Sequence, residues 1–309
     1  MATAIVFGPT GNIGSVAARA AQENGAKVWL AMRDTTKSIQ GLSEEDEKKG
    51  GFQRVTADMT KPETLAEAVK KSGATRAYTY LTWGTSDHMK GSFQTLKDSG
   101  IEFLVFLSSS SVQGDPKAIP PSEFIPFFHA QAELSLDDVF GSNYVAIRPG
   151  RFASNLLWDK ADINAGEVKQ FGGDFKMDFI TPTDMGRVSG AILAAGAAKD
   201  GQKKVYLYGP QITTGAGGIK TVAKVLGKDV KITEISAEEG RQQSISRGTP
   251  PPVADYLISK MEEGPSKEKE LVEGDELYTT GVKNIELYTG KKPMSLEEWV
   301  GANKHLFAA

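Results

Sequence analysis

The chain has no cysteine. Disulfides, thiolate nucleophiles and thiolate metal sites are therefore excluded. Histidine is nearly as scarce: His88, His129 and His305 stand far apart, with no HxH or HxxxH spacing, so no metal site is expected. An excess of charge of one sign is missing too. The 36 basic and 39 acidic residues are mixed along the chain and leave a net charge of -3, which gives no footprint for nucleic acid or an anionic membrane surface. No apolar run reaches membrane-spanning length, and "MATAIVFGPTGNIG" enters a strand at once without a leader-like pattern. A cytoplasmic protein that binds a small molecule is the expectation. At 309 residues the chain can bury a large core without help from a partner.

What is present is alternation. "TAIVFG" is a short β-branched run, a glycine-rich turn follows, and "SVAARAAQENGA" has apolar residues at helical spacing. Strands "KVWLAMR", "FQRVTAD", "RAYTYLTW" and "EFLVFLSS" then interleave with helices "KPETLAEAVKKSG" and "MKGSFQTLKDSG"; the charged "TTKSIQGLSEEDEKKGG" reads as a solvated loop or short surface helix. "SNYVAIRPGRF" is a sixth strand ending in a Pro-Gly turn. The pattern predicts an α/β fold: a Rossmann-type doubly wound parallel sheet with a smaller C-terminal α+β substrate lobe, ligands lying at the carboxyl ends of the strands. Residues 1-152 form the expected Rossmann core. Residues 153-309 complete it around 178-210 and supply a substrate lobe and lid around 153-177 and 211-309. Asp184 is expected to open the helix "MGRVSGAILAAGAAK", and 236-275 to hold helices joined by mobile connections.

"GPTGNIG" sets Gly8, Gly11 and Gly14 between the first strand and the first helix, with Thr10, Asn12 and Ile13 in the same turn. Backbone N–H groups at such a helix mouth hold a pyrophosphate. Near the end of the second strand, where an acid would hold the ribose of NAD, stand Arg33 and Lys37. A guanidinium there suits the 2'-phosphate of NADP(H), the expected cofactor; Asp34 is then a turn cap. Asp58 and Met59 would lie by the adenine, a strand-end turn with a buried Met being the competing account. Thr82 and Pro149 complete the candidate cofactor contacts.

With these segments, "IEFLVFLSSSSV", "YVAIRPGRFASNLL", "ITPTDMGRVSGAIL" and "LYTGKKPMSLEEWV", the chain resembles the NmrA-like branch of the atypical short-chain dehydrogenases/reductases, of the fungal secondary-metabolism type, over nearly its whole length. The resemblance implies a Rossmann domain holding NADP(H) and a lobe closing a cleft beside the nicotinamide. Members include reductases of secondary metabolites, quinone reductases and regulators that bind NADP.

In "FFHAQAEL" the chain departs from the superfamily pattern, in which a tyrosine protonates the product and a lysine four residues later assists it. Phe127 and Gln131 occupy those positions. Gln131 remains a candidate ribose ligand; Ser109, Ser110 and His129 are the other catalytic candidates. Tyr80, Trp83, Phe127, Phe128, Phe152, Asn155, Trp158 and Tyr256, with Met261, are the candidate contacts for an aromatic substrate, and core packing is the competing account of each.

The leading expectation is an NADPH-dependent reductase of a bulky aromatic secondary metabolite, acting on a C=N bond as in indole-alkaloid imines. An iminium carbon takes hydride without needing an acid. A following cyclisation is an extension of that expectation. The alternatives are an NADP(H)-sensing regulator with a protein partner and a redox-neutral isomerase or cyclase.

Overall fold

The computed structural model describes residues 2–263 and 274–308. Along the chain the first six units run β1 (Thr3–Phe7), α1 (Gly14–Glu23), β2 (Lys27–Met32), α2 (Glu44–Gly50), β3 (Gln53–Thr56), α3 (Pro62–Ser72), β4 (Arg76–Tyr80), α4 (Lys90–Asp98), β5 (Phe103–Leu107), α5 (Phe124–Phe140) and β6 (Tyr144–Pro149). They are followed by α6 (Lys160–Ala165), β7 (Glu167–Gln170), β8 (Lys176–Met177), α7 (Pro182–Ala195), β9 (Lys204–Leu207), β10 (Thr213–Thr214) and α8 (Gly215–Leu226). The chain then forms β11 (Lys231–Glu234), α9 (Ala237–Ser246), α10 (Pro251–Glu263), α11 (Glu276–Thr289) and α12 (Leu296–Ala302).

Seven strands pair in the order β3-β2-β1-β4-β5-β6-β9, every pair parallel. The strands are near-continuous apolar runs because both faces are covered, as a parallel sheet requires. Val188 and Ile192 of α7 and Ile285 of α11 close one face with Ala17 and Ala21 of α1. Leu65 of α3, Phe93 of α4 and Leu136 of α5 close the other. Strand order reverses between β1 and β4, which opens a crevice at their carboxyl ends.

Beyond β6 the chain leaves the sheet for a lobe with its own core, in which Leu156, Ile163, Ile219, Val222, Trp299 and Phe307 are buried together. Two small sheets, β8 with β10 and β7 with β11, brace it. The charged segment after β2 holds α2, started by a Ser43–Asp46 capping box. Two details differ from the sequence expectation. The helix expected to open at Asp184 starts earlier, at Pro182: the Thr181 hydroxyl caps it by accepting from the Asp184 N–H at 3.1 Å, and the Asp184 carboxylate is buried, accepting from the Met294 N–H at 2.8 Å. α11, which falls in the stretch expected to form the lobe, instead packs on β9 and α7. Of the expected 236-275 lid segment, 264-273 lie outside the described residues. No helix of the described residues is long and apolar enough to cross a membrane.

Candidate functional site

At the crevice Gly8 takes φ +67°, and a Cβ there would come within 2.6 Å of the Tyr80 ring. A Cβ on Gly14 would lie 2.3 Å from the Gly8 carbonyl oxygen. Only glycine permits this turn, which closes through Gly11 N–H to Gly8 O at 3.1 Å and Ser15 N–H to Gly11 O at 3.0 Å. Thr10, Gly11 and Asn12 are exposed and Ile13 is buried. α1 has neither a side-chain cap nor an acidic residue in its first turn, so its leading N–H groups remain open to an anion.

Arg33 and Lys37, which follow β2, are both exposed. Asp34 does not face an incoming phosphate freely: it accepts from the Thr36 hydroxyl at 2.6 Å and the Thr36 N–H at 2.9 Å, and these bonds hold its carboxyl below the usual range. Asp58 closes a like turn, accepting from the Thr60 N–H at 3.0 Å and its hydroxyl at 2.7 Å, with Arg33 adding to the same lowering. Burial pushes the Tyr80 hydroxyl up while Arg33 opposes it, so Arg33, Asp58 and Tyr80 share one corner. Met59 is buried beneath. The Thr82 hydroxyl is buried without a hydrogen-bond partner among the described residues. Pro149, also buried, offers its carbonyl to the Ser110 N–H at 2.9 Å. The corner thus joins a glycine turn, the open N–H groups of a helix mouth and the Arg33 cation.

Next to it a cleft of about 570 Å³ opens between the ends of β4, β5 and β6 and helix α10. Tyr80, Trp83, Ser109, Ser110, His129, Phe152, Asn155, Trp158, Tyr256 and Met261 all line it. Phe127, Phe128 and Gln131 are not among its lining residues. α5 turns Ile125 and His129 to the cleft, and Gln131, two residues on, is rotated about 200° away. The Phe127 and Phe128 rings instead pack around His88, each at 5.8 Å between centroids, and Phe128 also meets Trp83 at 5.7 Å. The ionisable side chain that this helix turns to the cleft is therefore His129.

His129 Nδ1 lies 2.9 Å from the Ile125 carbonyl, which only accepts, so Nδ1 carries the proton and Nε2 presents a lone pair. Burial pushes the imidazole below its usual pKa, which keeps it neutral near pH 7. Ser109 and Ser111 share a hydrogen bond at 2.8 Å, and Ser110 bonds with Tyr208.

Several residues not singled out by sequence build the cleft. Glu133, one turn after His129, is 1 % exposed and accepts from Ser108 Oγ at 2.6 Å and from Arg148 Nε at 2.9 Å and Nη2 at 2.5 Å. Asp178, buried, accepts from the Arg151 and Gly209 N–H groups at 2.8 Å each, and burial pushes its carboxyl up to about 6. Glu123 at the start of α5 receives Lys260 at 2.7 Å and the Tyr256 hydroxyl at 3.4 Å, which ties α10 across the mouth. Glu133 stands within "FFHAQAEL" at i+4 from His129, so its place on the same helix face was legible; no signal existed for Asp178, whose role depends on the Gly209 turn.

Fold and crevice together define a doubly wound α/β protein of the dinucleotide-binding kind, with a second lobe closing a cleft. The chain is 34% identical over 316 residues to a nitrogen metabolite regulation-like protein of Gibberella fujikuroi, a match that covers 96% of this chain and 94% of the relative. It belongs to the nitrogen metabolite regulation-like (NmrA-like) family. It is also 24% identical to an NAD(P)H azoreductase of Xenophilus azovorans over 82% of this chain and 84% of the relative. Among solved structures it resembles the NADPH-dependent quinone oxidoreductase of Escherichia coli in complex with NADPH, at TM-score 0.70 and 20% identity over 99% of this chain and all of that one. No protein-family model matches the chain.

Proposed function

We propose that the protein is an NADP(H)-dependent reductase of a flat, conjugated aromatic acceptor. The observation that carries this reading is the aromatic cleft of about 570 Å³ continuous with the glycine turn through Tyr80, which both abuts Gly8 and lines the cleft. Gly8, Thr10, Gly11, Asn12, Ile13 and Gly14 would hold the pyrophosphate; Arg33 and Lys37 the 2'-phosphate; Asp58 and Met59 the adenine edge; Thr82 and Pro149 the inner ribose. The cofactor, when bound, supplies hydride. Trp83, Phe152, Trp158 and Tyr256 stack on and orient the acceptor, and α10 excludes water above it.

His129 accepts a hydrogen bond from an acceptor N–H or O–H at Nε2; a neutral imidazole whose only hydrogen faces Ile125 has no proton to give, so the proton that the reduced product needs comes from water. The cleft thus suits acceptors in which the incoming electron pair is delocalised, as in quinones, azo compounds and conjugated C=N bonds, without a strong acid. A free iminium cation gains from ring stacking but meets Arg151 and Lys176 in the same wall. Neutral or anionic acceptors therefore rank ahead of it, and the cyclisation has no supporting observation. The name of the Gibberella fujikuroi relative supports a second reading, an NADP(H)-sensing regulator.

The test is loss of nicotinamide absorbance when purified protein and NADPH meet panels of quinones, azo compounds and cyclic imines. Turnover with one class establishes the reductase. Tight NADPH binding with no oxidation by any class overturns it in favour of the regulator.

A further inference from the structure

We propose that the acceptor carries an oxyanion, a carboxylate or an ionised phenol, and that Arg151 binds it at the lobe end of the cleft. The substrate class deepens the reductase reading and rests on it only for calling the ligand an acceptor. Arg151 follows the Pro-Gly turn of β6. Its backbone is fixed there: the N–H donates to Asp178 Oδ1 at 2.8 Å, and a Cβ on Gly150 would collide with the same carboxylate at 2.3 Å. From this anchor the side chain enters the wall between the cleft and an adjoining hollow of about 110 Å³.

The guanidinium makes no hydrogen bond or ion pair among the described residues, and its Nε is buried without a partner. Arg148 pairs with Glu133, Arg54 with Glu47, and Arg247 with Asp159 and Asp162, whereas the Arg19 Nε, like that of Arg151, is buried without a partner among the described residues. The two carboxylates that Arg151 feels are already engaged. Asp178 accepts from two backbone N–H groups, and Asp159 holds Arg247 at 2.8 Å. An arginine stays charged at any pH of interest, and a guanidinium in a half-buried side chain whose Nε is closed off from water without an acceptor is unfavourable unless a ligand supplies one. The planar fork of donors matches two oxygens of one anion. Phe152 and Trp158 line the same cleft, so the anion would be attached to an aromatic body.

The probes are 2-hydroxy-1,4-naphthoquinone, an oxyanion at mildly alkaline pH, and its neutral 2-methoxy ether, which share a ring system and a redox centre. Their binding to the full chain with NADP+ is measured by calorimetry, and turnover with NADPH by absorbance. The oxyanion is expected to bind about ten- to a hundredfold more tightly than the ether, the range for hydrogen bonds to a charged group. Arg151→Ala should erase that ratio and leave the ether within about twofold of its original affinity, while Arg151→Lys should keep part of it. A wild-type ratio near one, including no measurable binding of either probe, overturns the proposal, as does an Arg151→Ala effect equal on both probes. Should Arg151→Ala fail to fold, the wild-type ratio and Arg151→Lys still decide. A large ratio without turnover of either quinone counts against the reductase reading alone.

Discussion

Truncating Glu133 to alanine should be among the most destabilising single changes in the sheet. Its carboxylate and the Arg148 guanidinium are each 1 % exposed and meet in a two-pronged contact, with Ser108 Oγ as a third donor. The remaining prong of Arg148 donates to the Val112 carbonyl and the Tyr206 hydroxyl at 2.6 Å each, so the arginine is held in place and cannot swing to water. Glu133→Ala leaves a charge stranded in a dry site, at a cost of about 3–5 kcal/mol. Total stability for a folded domain is about 5–15 kcal/mol. With an unfolding entropy of about 2.1 cal/mol/K per residue, a loss of about 4 kcal/mol over this chain lowers Tm by about 6 °C. Urea titration and thermal melts followed by circular dichroism measure both. Adding Arg148→Met removes the stranded charge and should restore most of the loss. A Glu133→Ala cost below about 1 kcal/mol, or a double variant as unstable as the two single losses summed, would refute the claim that the pair acts as a buried unit. Because the Glu133 charge raises the His129 pKa, its removal should also move that imidazole further down, readable by NMR titration.

Arg33→Ala should weaken NADPH binding by about ten- to a hundredfold and leave NADH nearly unchanged, since only the former offers a 2'-phosphate; equal losses for both would show that Arg33 has another task. Gly14→Val places a branched side chain where even a Cβ lies 2.3 Å from the Gly8 carbonyl, so NADPH binding measured by fluorescence should vanish while the far-UV spectrum keeps its α/β shape; normal binding would mean the turn is not the phosphate site. Asp178 titrates near 6 in the folded chain and near the ordinary 3.8 when unfolded, so the folded state binds the proton more tightly. Its contribution to stability is full below about 4 and declines by up to about 3 kcal/mol as pH rises through 6. The stability difference between wild type and Asp178→Asn should shift against wild type across that window and be flat above about 7; a pH-independent difference would refute the assignment.

The sequence by itself determined what local chemistry encodes. "GPTGNIG" states a strand-turn-helix because only glycine tolerates φ +67° at Gly8 and the contact at Gly14, and both facts are carried by residue identity. The apolar strands between amphipathic helices stated a covered parallel sheet, and Arg33 after β2 stated a cation where the second strand ends. Of the aromatic residues legible as a group, the fold gathers Tyr80, Trp83, Phe152, Trp158 and Tyr256 on one cleft, while Phe127 and Phe128 turn away from it to pack around His88.

Only the tertiary structure decided which way α5 is turned. Phe127 and Gln131 stand at the positions of the superfamily's acid pair in the motif, yet the burial of Glu133 against Arg148 and Ser108 rotates the helix so that His129 and Ile125 face the cleft. That rotation is set by an ion pair between residues fifteen positions apart, which no local pattern reports. The state of Arg151 is hidden for the same reason. Whether a guanidinium is solvated, paired or enclosed without a partner depends on where Asp178, Asp159 and Arg247 come to lie, and those come from β8's far end, the lobe and α9. Propensity and spacing act over a few residues; charge satisfaction and helix rotation are settled by contacts that exist only once the chain has closed.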